Sequence, residues 1–120
     1  MKKKPTIQNN NIEKIHFFIS HNKSYEIIKD NKDLKSAFAD FVFCKSQITW
    51  QQFMGNNYEN GGSEKCKDNM IKNIPKNITD QMEPNTSLFS TKLNKEYRII
   101  FSRIDKIMII HYISKHYGDH

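Results

Sequence analysis

From Leu88 onward the hydrophobic period of this chain is two. The segments LFSTKL, YRIIFSRI and KIMIIHYI are rich in β-branched and aromatic residues, and Asn-Lys-Glu and Asp-Lys separate them. Such runs divided by turn residues predict a three-stranded antiparallel meander. A three-residue turn at 94–96 sets Leu93 opposite Tyr97 and Lys92 opposite Arg98. Phe89, Thr91, Leu93, Tyr97, Ile99 and Phe101 then share one mostly apolar face, and Ser90, Lys92, Arg98, Ile100 and Ser102 share the other. A two-residue turn would split the apolar set, so the three-residue register is the one expected.

Upstream, EKIHFFIS reads as a short strand. HNKSYEIIKDNKD can be read as a turn with a second strand or as the start of a helix. DLKSAFADFVFCKSQITWQQFM is the clearest helical segment, with Leu34, Ala37, Phe38, Phe41 and Val42 at amphipathic spacing and Asp33 as the expected N-cap. Ile48-Thr49-Trp50 ends this helix or opens a second one capped by Thr49. Its aromatics are expected in the core, with Phe38, Phe41 and Trp50 packed on the apolar face of the meander. GNNYENGGSE reads as a loop, EKCKDNMIKNI as a short helix ending near Pro75, and NITDQMEPNTS as irregular. The expectation is α+β: an N-terminal strand, two to three helices, then the meander, with helices on one sheet face. Residues 1–11 form a basic tail and 12–120 one domain.

The net charge is +6 over 120 residues, with 13 acidic side chains. The basic character is concentrated. Lys2, Lys3 and Lys4 carry the tail, and 85–117 holds Lys92, Lys95, Arg98, Arg103, Lys106 and Lys115 against Glu96 and Asp105. A basic surface of this kind points to nucleic acid. No apolar run is long enough to span a membrane, and PTIQNNN follows MKKK where a signal peptide needs an apolar stretch, so a cytoplasmic location is expected. Cys44 and Cys66 form no CxxC pair and read as a core thiol and an incidental one.

The two arginines, Arg98 and Arg103, are the only ones in a chain otherwise served by lysine. Arginine offers a planar donor fork that suits phosphate. Arg98 opposite Lys92 places like charges across two strands, which is destabilising unless an anion is received there or the side chains splay into water. Arg103 falls on the opposite face and reads as a surface residue. His111 reads as a satisfied core or edge histidine. His116-Tyr117 follows the last strand, where a histidine can deliver a proton near neutral pH. The spacing of His111, His116 and His120 suits no metal site, and no cofactor is expected.

Residues 89–117 resemble the C-terminal half of RelE-superfamily toxins, the small ribonucleases of bacterial toxin–antitoxin pairs, and most of all the YoeB type. That pattern runs Trp-Ser-Arg-Arg-Ile, His-Arg-Leu-Val-Tyr, an acidic turn, an apolar strand and a terminal His-Tyr. Phe89-Ser90, Lys92, Tyr97-Arg98 and His116-Tyr117 occupy the corresponding places without a gap, while Thr91 replaces one arginine. The resemblance implies a RelE-like fold and metal-independent cleavage of mRNA on the ribosome, with a protein antitoxin as partner. By the same carry-over, Arg98 stabilises the phosphorane and Lys92 holds the phosphate. His116 is the general acid, Tyr117 orients the reacting groups, and Glu83, followed by Pro84, is the base. Lys95, Lys115 and Ser90 join Lys92 as RNA contacts.

QITWQQF with SLFSTKLNKEYRI also resembles a group of uncharacterised bacterial and mobile-element proteins. That likeness implies the alternative: a non-catalytic RNA- or protein-binding protein on the same scaffold, such as a phage or plasmid inhibitor or regulator.

Overall fold

The computed structural model describes residues 12–20 and 22–115. The expected tail at 1–11, and His116 and Tyr117, lie outside the described residues. The elements run β1 (His16–Ile19), α1 (Asn22–Lys29), α2 (Lys32–Lys45), α3 (Trp50–Met54), β2 (Ser63–Lys65), α4 (Asp68–Lys72), α5 (Lys76–Thr79), β3 (Phe89–Lys92), β4 (Tyr97–Ile104) and β5 (Ile107–Lys115). The strands form one five-stranded sheet in the order β1-β5-β4-β3-β2. β1 runs parallel to β5, and the remaining pairs are antiparallel.

The hairpin register is the one the sequence predicts, with Lys92 opposite Arg98, Thr91 opposite Ile99 and Phe89 opposite Phe101. The ambiguous segment after β1 is helical. α2 is capped by Asn31, whose side chain accepts from the Leu34 amide at 2.9 Å, and not by the expected Asp33. Asp33 instead sits in the first turn, where a carboxylate favours the helix dipole. Thr49 does cap α3, in a reciprocal pair with Gln52: the Gln52 amide donates to Thr49 Oγ1 at 3.1 Å, and the Thr49 amide donates to Gln52 Oε1 at 2.9 Å. This cap delivers Trp50 into the core, where its Nε1 donates to the Lys106 carbonyl at 2.8 Å. α3 is thereby tied to the β4–β5 turn.

Two features depart from the expected layout. First, GNNYENGGSE is not only a loop. It contains a short 3-10 helix, Tyr58–Asn60, and leads into the edge strand β2. Three residues are too few for a legible period, and β2 is held by backbone pairing to β3. Second, helices lie on both faces of the sheet. Phe41 and Trp50 pack on Ile99 and Phe101 as expected, joined by Leu34, Phe53, Met108 and Ile110, while the expected Phe38, Phe89 and Leu93 are only partly buried against this cluster. On the other face Cys66, Ile74, Ile78 and Leu88, from α4, α5 and their flanks, enclose Ile100. The unbroken pair Ile99-Ile100 is what a strand buried on both sides looks like.

Truncating either isoleucine of this pair therefore removes a full core side chain. In urea unfolding, Ile100→Ala should cost about 2–5 kcal/mol, as Ile99→Ala should. A near-neutral Ile100→Ala would mean that α4 and α5 do not cover this face.

Candidate nucleic-acid interface

Arg98, Lys92 and Ser114 stand on adjacent strands of the face that carries Ile100. Arg98 is paired with Lys92 on β3 and with Ser114 on β5. Arg98 Nε donates to Ser114 Oγ at 3.3 Å, which orients the guanidinium along the sheet. Lys92 Nζ donates to Glu59 Oε1 at 2.9 Å and lies 5.6 Å from the centre of the Tyr58 ring. The lysine charge is thus balanced by a carboxylate and lies against an aromatic ring, both from the 3-10 helix. Arg98 lines a cleft of about 270 Å³ together with Met70, Asn73, Tyr112, Ser114 and Lys115.

The electrostatics follow burial. Burial raises the Tyr58 phenol above its ordinary pKa, and the charge and hydrogen-bonding reach of Arg98 pull it back. Burial pushes the Cys66 thiol up to about 11, again opposed by Arg98. Of the two thiols, Cys66 is the buried one, and Cys44 is exposed.

The other anticipated residues separate. Lys115 lies at the exposed end of β5 beside the cleft, and Lys95 is exposed in the hairpin turn. Ser90 has no exposed surface, so its hydroxyl does not reach a ligand from solvent. Glu83 and Pro84 line a different cleft, of about 470 Å³, with Ser102 and His111. Ser102 is four residues along β4 from Arg98, roughly 13 Å at strand rise, and the Ile74–Ile78 cluster covers Ile100 between them. Glu83 and Arg98 are therefore not brought together.

His111 is the extra residue of a β-bulge, since Ile100 pairs with Tyr112 and Phe101 with Ile110. Its Nε2 lies 2.7 Å from Ser102 Oγ and its Nδ1 3.2 Å from Ser20 Oγ. Ser20 Oγ donates to the Ile110 carbonyl, so it accepts from Nδ1–H, and Ser102 donates to Nε2. Burial pushes the His111 pKa down and keeps the ring neutral. Arg103 is half-buried rather than a free surface residue. Its guanidinium lies 4.2 Å from the Trp50 ring centre and its Nε donates to the Asp105 carbonyl at 2.7 Å. Arg103 is thus stacked on Trp50 at the edge of the Glu83 cleft, and Arg98 lines the smaller cleft.

No protein family model matches the chain. No curated protein matches it either. Among solved structures, the crystal structure of an archaeal RelE–RelB complex from Pyrococcus horikoshii OT3 contains a similar chain. The identity is 14%, the match covers 90% of this chain and 99% of that one, and the TM-score is 0.49. Neither an activity nor a partner follows from a likeness of that size.

Tyr58, Glu59, Tyr112 and Ser114 are the site residues that sequence reasoning missed. The one signal for the first two was the Gly61-Gly62 pair, which turns the chain back along β3. Among the described residues no group of His, Cys, Asp and Glu side chains is placed to hold a metal ion. No helix among them is long and apolar enough to cross a membrane.

The two thiols give a direct check of this packing. With its pKa near 11, Cys66 carries almost no thiolate at pH 8 and is sterically covered. A thiol-reactive dye at pH 8 should label Cys44 in the native protein and Cys66 only after unfolding. Rapid native labelling of both would contradict the covered face.

Proposed function

We propose that this chain is a metal-independent, mRNA-cleaving toxin of the RelE type, working in the cytoplasm on ribosome-bound message and neutralised by a protein antitoxin. The observation that carries the reading is Arg98, which lines a cleft with Ser114 and Lys115 and stands opposite Lys92 across the strand pair. Phosphate is the ligand for which a donor fork beside a second cation is suited. The resemblance of residues 89–117 to RelE-superfamily toxins supplies the chemistry. The ribose 2′-OH attacks the adjacent phosphate, and Arg98 meets the charge that develops on the phosphorane. Lys92 holds a non-bridging oxygen. His116, which follows β5 in sequence, protonates the leaving 5′-oxygen, and Tyr117 orients the reacting groups. Glu83 serves as base in this scheme only if residues 81–87 move toward Arg98.

A second reading is a non-catalytic RNA- or protein-binding protein on the same face. One observation favours it: the described lining of the Arg98 cleft contains no carboxylate and no imidazole. Binding needs only the cations, whereas cleavage also needs a base and an acid.

Induction of the protein without an antitoxin should arrest growth and leave 2′,3′-cyclic phosphate ends on ribosome-bound mRNA in the presence of EDTA. Arg98→Ala should lower cleavage by about 10²–10³-fold and His116→Ala by about 10²–10⁴-fold, with both variants folded. Arg103→Ala should leave the cleavage step intact if the fold tolerates it. RNA binding without cleavage would establish the second reading and end the first.

A further inference from the structure

The loop between α3 and β2 brings a carboxylate to Lys92. Glu59 Oε1 is 2.9 Å from Lys92 Nζ, within the range of a charge-assisted bond to phosphate. The loop is built to hold it there. The Asn57 side chain accepts from the Asn60 amide at 3.0 Å. Gly61 adopts a φ of +90°, and a Cβ on Gly62 would fall 1.8 Å from the Asn56 carbonyl oxygen, so the turn requires both glycines. Thr91 Oγ1 donates to the Gly62 carbonyl at 2.8 Å, and Lys45 Nζ to the Gly61 carbonyl at 2.9 Å. Tyr58 is buried at 7% exposure and anchors the 3-10 helix against β3. The Glu59 backbone is thus fixed, while its side chain is 77% exposed.

We propose that Glu59 is a resident competitor at this site: an incoming RNA phosphate displaces its carboxylate from Lys92, and Glu59 thereby sets the affinity and the salt response. The inference rests on the reading of this face as an RNA surface. Exposed ion pairs are weak, so Glu59 tunes binding and does not block it. Salt weakens the Lys92–Glu59 pair as well as the RNA contact, and in the wild type the two effects partly cancel. With the carboxylate removed, only the RNA contact remains salt-sensitive.

Binding of a labelled single-stranded RNA should be measured across a salt series for wild type, Glu59→Gln, Lys92→Ala and the double variant. Glu59→Gln should tighten binding roughly 2- to 5-fold at low salt and steepen the log–log salt slope by up to about 0.7. Both effects should vanish in the Lys92→Ala background. Asp40→Asn, the same charge change at an exposed position of α2, controls for net charge and should leave the slope unaltered. Wild type that binds RNA with an unchanged Glu59→Gln overturns the inference alone, as does tightening that survives Lys92→Ala. No RNA binding by any variant overturns the inference together with the RNA reading.

Discussion

The register of β3 against β4 is the constraint on which the site depends. It is over-determined by packing, because Ile99 and Phe101 are fully buried on one side and Ile100 is buried on the other. A slip of one residue would exchange the two faces. The Arg98 guanidinium would then point into the cluster of Trp50 and Phe53, and Ile99 would lose its place there. Desolvating an unpaired guanidinium costs far more than any hairpin turn could offset. The apolar core therefore fixes where the cation stands, and the site inherits its geometry from residues that do no chemistry.

That geometry carries an electrostatic cost, which the surroundings reduce without removing. Two cations face each other across a strand pair. Glu59 balances one, Ser114 orients the other, and the Tyr58 ring lies against the lysine ammonium. All three are contacts that a phosphate can supplement or replace. The contrast with Arg103 is informative. Its fork is stacked on Trp50 and bonded to a backbone carbonyl, so it contributes packing to the base of the β4–β5 turn. Arginine's planar surface serves the core in one case and the cleft in the other.

Much of this was legible in the sequence where the physics is local. Alternation over 88–115 revealed three strands and the register of the first hairpin, and Thr49 was one candidate for the cap of a second short helix. His111 was readable as a satisfied histidine, although not the bulge that positions it. What was hidden depends on tertiary contacts. β2 is too short to show a period. The α4–α5 link and α5 contribute single isoleucines, Ile74 and Ile78, whose role emerges only when Ile100 is seen beneath them. The same cover separates Glu83 from Arg98. The resemblance to RelE-superfamily toxins implied convergence, but residues 81–87 run instead alongside Ser102 and His111. Tyr58 and Glu59 looked like loop filler because nothing in GNNYENGG shows that its turn leads back over β3.

In the proposed RNA reading, Arg98 receives phosphate and Arg103 does not. Since the chain has only these two arginines, a ¹⁵N-edited spectrum of arginine Nε–H groups contains one signal for each. Titration with single-stranded RNA at low salt should shift the Arg98 signal and return it toward its free position as salt is added. The Arg103 signal, held by the Asp105 carbonyl, should stay in place. Movement of Arg103 with Arg98 unmoved, or of neither at saturating RNA, would contradict the account.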